Sequence, residues 1–74
     1  MKRLRLGVIG CGDITKYTLL MAKLNRKIQI VACADKQIER AQKYAKHFRG
    51  AKAFSDYTEM ISSTELDAVY LAVP

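Results

Sequence analysis

The stretch LRLGVIGCGDITKYTLLMAKLNRKIQIVACAD, residues 4–35, decides the fold. It opens on an apolar run, Leu4–Ile9, that reads as a strand covered on both faces rather than one alternating between core and water. Gly10-Cys11-Gly12 closes that run. Ile14, Tyr17, Thr18, Met21 and Leu24 then recur at the i, i+3, i+4, i+7 and i+10 spacing of one helical stripe, which predicts a helix over 13–24. A second apolar strand, Ile28–Ala34, follows and ends at Asp35. The order is strand, glycine turn, helix, strand, acid.

That order is the layout of a dinucleotide-binding βαβ unit. Gly10 permits a sharp exit from the strand. A residue without a Cβ at Gly12 lets the backbone approach a pyrophosphate. The start of the following helix, Asp13 and Ile14, offers free N–H groups and the positive end of the helix dipole to phosphate oxygens. The Asp35 carboxylate, at the carboxyl end of its strand, can accept hydrogen bonds from both hydroxyls of the adenosine ribose. The bland alternative is a βαβ unit whose Asp35 only caps the next helix.

Downstream the alternation continues. Ile38, Ala41, Ala45 and Phe48 mark a helix over Lys36–Phe48, closed by Gly50. Lys52–Phe54 is a short strand. Asp56 sits at an N-cap position before a short helix, Asp56–Ser62, that carries Tyr57, Met60 and Ile61 on one face. Ala68–Val73 is a fourth apolar strand stopped by Pro74. Right-handed crossovers place the strands in the order 3-2-1-4, a Rossmann-like doubly wound parallel sheet of the α/β class. The glycine turn and Pro74 would then flank one crevice at the switch point between the first and fourth strands. The fourth strand is an apolar edge with no charge or bulge to blunt it. The expectation is therefore that residues 1–74 are the N-terminal part of a dinucleotide-binding domain. The rest of that domain and a substrate and oligomerisation domain would lie beyond them.

Composition narrows the function classes. The chain has 74 residues, half of them apolar, and a net charge of +6. All Lys and Arg residues precede Phe54. Lys36, Arg40, Lys43 and Lys46 are spread over a helix surface without interleaved aromatic side chains, so a solvated face is preferred to a nucleic-acid surface. No apolar run approaches the ~20 residues a membrane span needs. Met1-Lys2-Arg3 leads into a strand rather than a signal-peptide core. Cys11 and Cys33 form neither a CxxC motif nor a disulfide framework, and a redox pair between them is disfavoured in a reducing cytoplasm, the expected compartment. No metal-ligand cluster is visible. Tyr44, Tyr57 and Tyr70 fall on core spacing, and His47 lies at a helix end.

The motifs GVIGCGDIT (7–15), VACAD (31–35), SDYTEMI (55–61) and DAVYLAVP (67–74), in this order and spacing, resemble the N-terminal cofactor domain of the glucose–fructose oxidoreductase / myo-inositol dehydrogenase family. The resemblance implies an NAD(P)-dependent oxidoreductase that moves a hydride to or from a sugar, polyol or related alcohol/carbonyl substrate, with a further domain used for homo-oligomerisation. It assigns Gly10, Gly12, Asp13 and Ile14 to the pyrophosphate and Asp35 to the ribose. Lys36 takes a position that helps choose between NAD and NADP, and Ala72, Val73 and Pro74 take the wall of the cofactor crevice. Arg40, like Lys36, could neutralise a 2′-phosphate and so favour NADP, whereas Asp35 favours NAD. The family's catalytic lysine, acid and histidine would lie beyond Pro74, so no catalytic residue is assigned. Two positions depart from the family pattern. Thr15 stands where a smaller residue allows close helix–strand packing, and Asp13 puts a carboxylate near the phosphates. The competing reading is a non-catalytic dinucleotide-binding sensor or scaffold.

Overall fold

The computed structural model describes residues 3–11 and 25–71. Four strands, β1 (Leu4–Ile9), β2 (Ile28–Ala34), β3 (Lys52–Phe54) and β4 (Ala68–Leu71), form one sheet in the order β3-β2-β1-β4. Every pairing is parallel. The expected 3-2-1-4 order is thus the observed one, with β1 and β4 side by side at the switch point. The helix expected over 13–24 and residues 72–74, where the fourth strand is expected to end and Pro74 to stop it, lie outside the described residues.

Two helices cover opposite faces of the sheet. Helix α1 (Ile38–Ala45) lays Ala41, Tyr44 and Ala45 against Val8, Ile30 and Cys33. Helix α2 (Tyr57–Ser63) drives Met60, fully buried, against Ala32 and Ala34 on the other face, where Ile9, Phe54 and Leu66 complete the cluster. Ile30 and Cys33 therefore share one face while Ala32 and Ala34 share the other, which strict alternation along a strand does not allow. A β-bulge accounts for it. Leu6 pairs with Ile30 but Gly7 pairs with Ala32, leaving Val31 as the extra residue.

Gly7 has a second structural role. A Cβ there would lie 2.9 Å from Leu66 Cδ1 and 3.1 Å from Met60 Cε, so the bare backbone is what lets the α2 layer close onto β1. At the amino end of β4, Asp67 ties the strand to β1. Its carboxylate accepts from the Arg5 N–H at 2.7 Å and its own N–H donates to the Arg5 carbonyl at 2.8 Å.

The helix limits differ from expectation. Helix α1 starts at Ile38 rather than Lys36, because Asp35 Oδ1 accepts from the Gln37 N–H at 2.9 Å and holds residues 35–37 in a turn. It ends at Ala45 rather than Phe48. Beyond it, His47 and Phe48 donate to the carbonyls of Tyr44 and Ala45, a tighter i→i−3 winding. That winding brings the Phe48 ring to 5.4 Å from the Tyr44 ring. Gly50, at φ +78, then reverses the chain. Helix α2 begins one residue later than expected, and Asp56 is its N-cap, with its side chain accepting from the Thr58 N–H. Core spacing misplaced two tyrosines and an isoleucine. Tyr44 is buried, but Tyr57, Ile61 and Tyr70 are exposed.

Candidate dinucleotide site

Ligand sites in open parallel sheets form beyond the carboxyl ends of the strands at the switch point. Here that rim carries Gly10 and Cys11 after β1 and Asp35 after β2. Gly10 adopts φ +92, a conformation that side chains with a Cβ rarely enter. The chain can thus turn immediately after the buried strand, as the glycine pattern requires. The turn is held on both sides: the Gly10 N–H donates to the Ala34 carbonyl at 2.8 Å, and the Cys11 N–H donates to Asp35 Oδ2 at 2.9 Å. Asp35 is itself anchored to the next strand, its N–H donating to the Phe54 carbonyl at 3.0 Å.

The glycine turn and the acid, far apart in sequence, are therefore in direct contact. With its other oxygen Asp35 also does what the bland reading asked of it, binding the amide that precedes α1. A carboxylate has about four lone-pair sites, and two are used by these amides, so two are left to accept hydroxyls. Lys36 and Arg40, the other expected cofactor contacts, are exposed on the turn after Asp35 and on the first turns of α1. Gly12, Asp13, Ile14, Ala72, Val73 and Pro74 lie outside the described residues.

Both thiols sit beneath this turn on the α1 face. Cys33 is fully buried and donates to the Ala41 carbonyl at 3.1 Å, while Cys11, half-buried, directs its thiol at the Ala34 carbonyl. The neighbouring Cys33 sulfur, then burial, then the Asp35 charge push the Cys11 thiol well above the usual range. A thiol so held is a weak nucleophile at neutral pH, in keeping with a packing role. Tyr44 completes the layer. Its phenol is likewise pushed up, chiefly by burial, and its hydroxyl has no hydrogen-bond partner among the described residues.

Two contributors to the site went unread in the sequence. The Cys11 amide was passed over because only its flanking glycines have side-chain logic. Gly7 did carry a signal, since an isolated glycine inside a strand run marks a bulge or a close approach. It supplies both.

Comparison with known proteins gives a consistent outcome. Residues 4–74 match the sequence pattern of an oxidoreductase family with an NAD-binding Rossmann fold. A scyllo-inositol 2-dehydrogenase (NADP(+)) of Bacillus subtilis is 38% identical over 71 residues, covering 96% of this chain and 22% of the relative. A dTDP-3,4-didehydro-2,6-dideoxy-alpha-D-glucose 3-reductase of Actinomadura kijaniata is 31% identical over 72 residues, covering 96% and 21%. Among solved structures, a dehydrogenase from Bordetella pertussis in complex with NADH and UDP-GlcNAcA superposes with a TM-score of 0.88 at 28% identity, covering 99% of this chain and 22% of that one. The chain thus spans about a fifth of the length of the relatives it matches.

Proposed function

The chain belongs to the oxidoreductase family with an NAD-binding Rossmann fold, and we propose that residues 1–74 are the N-terminal part of the cofactor domain of an NAD(P)-dependent dehydrogenase or reductase. The proposed substrates of the whole protein are a sugar, a polyol or a related alcohol/carbonyl pair, the class to which the inositol dehydrogenase and the deoxysugar reductase among its relatives point. One observation carries the reading. At the switch point of a parallel sheet, a positive-φ glycine turn and an acid from the next strand are joined by a hydrogen bond.

The residues on this rim fit a dinucleotide. Gly10 and Gly12, which carry no Cβ, are assigned to the pyrophosphate, and the amides of Asp13 and Ile14 to its oxygens. Asp35 would accept the adenosine ribose hydroxyls on its two remaining lone-pair sites. Ala72, Val73 and Pro74 are assigned to the opposite wall. When bound, the nicotinamide supplies the hydride acceptor or donor. The work of this chain is to bind and orient, and the acid/base that moves the substrate proton is assigned to sequence beyond Pro74.

Asp35 sets the proposed preference for NAD. A carboxylate repels a 2′-phosphate by a few kcal/mol at contact distance and an effective dielectric near 20, on the order of magnitude expected for partly screened charges. Lys36 and Arg40, both exposed, are assigned the opposing effect of neutralising a 2′-phosphate. Calorimetric titration of the whole protein with NAD(H) and NADP(H), in wild type and in Gly12→Val, tests the assignment. Binding by the wild type and its loss in a folded Gly12→Val support it. Unchanged affinity in the variant refutes the loop assignment.

A further inference from the structure

Asp35 holds two turns at once. Oδ2 accepts from the Cys11 N–H and Oδ1 from the Gln37 N–H, each at 2.9 Å. The first turn leaves β1 and the second leaves β2 towards α1. Successive amides of the glycine turn, at 10 and 11, are thereby bound to successive residues of β2 and its exit, Ala34 and Asp35. The backbone carbonyl of Ala34 secures Gly10 whatever side chain follows. The carboxylate secures the amide of the next residue, Cys11, whose thiol is directed at the same Ala34 carbonyl. The bond to Gln37 fixes the carboxylate in return, because Gln37 is the N-cap of α1 and has no side-chain cap bond of its own. An acid whose sole task was to receive ribose hydroxyls would need neither contact.

We propose that Asp35 is a positioning residue for the phosphate turn, holding Gly10–Cys11 in its binding shape before any cofactor arrives, in addition to its role towards the ribose. The proposal rests on the dinucleotide reading above. It has a consequence that ribose binding alone does not. Replacing Asp35 weakens every ligand that uses the glycine turn, including one with no adenosine hydroxyls to offer.

The test is the affinity of the whole protein for NAD+ and for its 2′,3′-dideoxyadenosine analogue, in wild type, Asp35→Ser and Asp35→Asn. Titrations are run well below each variant's melting temperature. Charge-assisted amide bonds of this kind support a loss of about tenfold for the dideoxy analogue in Asp35→Ser. Asp35→Asn, whose single carbonyl oxygen can keep one amide, should lose less. In the cofactor-free protein, exchange of the Cys11 amide should quicken about tenfold in Asp35→Ser while that of Val8 stays unchanged. If the analogue binds wild type and both variants equally, Asp35 acts on the ribose or on stability alone and the proposal is overturned, even if NAD+ affinity or melting temperature falls. If Asp35→Ser does not fold, Asp35→Asn decides by the same criterion. A wild type that binds neither NAD+ nor NADP+ removes the dinucleotide reading and the proposal together, a result distinct from selective failure of the variants.

Discussion

Replacing Gly10 with alanine sets backbone strain against hydrogen bonding at the centre of the site. At φ +92 the residue lies where a Cβ crowds the neighbouring carbonyl, at a cost of about 1–2 kcal/mol. The strain could be relieved only by rotating to negative φ. That rotation would break the bond from the Gly10 amide to Ala34, worth about 1 kcal/mol, and the charge-assisted bond from the Cys11 amide to Asp35, worth about 1.5–3 kcal/mol. Together these exceed the strain, so the variant should keep the turn and stay strained. The expected result is a loss of about 1–2 kcal/mol in equilibrium urea unfolding, with an unchanged denaturant slope. Gly50→Ala calibrates the measurement. Gly50 has φ +78 and nothing within 4 Å of a built Cβ, so its cost is backbone strain alone. A Gly10→Ala variant as stable as wild type, beside a destabilised Gly50→Ala, would refute this reasoning.

Gly7→Val should lose about 2–3 kcal/mol by overpacking, because its two further methyl groups must displace Leu66 and fully buried Met60 beyond what a single Cβ already crowds, whereas Gly7→Ala, whose Cβ meets only the ends of those two side chains, loses less; urea midpoints of the two variants check the order. Tyr44→Phe removes a buried hydroxyl that has no partner among the described residues, so stability near pH 7 should stay level or rise by about 1 kcal/mol. Because burial raises the folded phenol above its ordinary value of 10.0, the unfolded chain releases that proton first and wild-type stability falls as pH climbs beyond it; the fall should shrink in Tyr44→Phe, measured as melting temperature against pH. For the whole protein with its proposed activity, Asp35→Ser should move the ratio of kcat/KM for NAD over NADP at least about tenfold towards NADP, or about 1.4 kcal/mol. A wild type that already prefers NADP would show that Lys36 and Arg40 set the choice.

The strands were legible because their physics is local. Leu4–Ile9, Ile28–Ala34 and Lys52–Phe54 have the observed limits, each an apolar or β-prone run ended by glycine, acid or serine. Helix ends were not legible, since Lys36 and residues 46–49 bear side chains that a helix accepts. What stops α1 is local but depends on side-chain geometry rather than residue type: the Asp35 carboxylate on the Gln37 amide at one end and the folding of Phe48 onto Tyr44 at the other. The bulge at Val31, opposite Leu6/Gly7, left no trace in β2 itself, only the glycine across from it. A β2 run buried on both faces has no alternation from which a slipped register could show. Of the site, the glycine turn and Asp35 could be named from their residue types, but the bond between them joins a side chain to a backbone amide and leaves no mark in the sequence. The exposure of Tyr57, Ile61 and Tyr70 shows the limit of spacing arguments, which give the face of an element and not what lies against it.

The central claim is that a dinucleotide binds on the rim formed by the Gly10 turn and Asp35. Amide chemical shifts of the whole protein, followed during titration with NAD+, address it most directly. The account predicts that the largest shifts among residues 3–11 and 25–71 fall on Gly10, Cys11, Asp35 and Lys36, with Arg26, Lys27 and Asp67 at the opposite end of the sheet unmoved. Shifts confined to that opposite end, or none at saturating NAD+ and NADP+, would contradict it.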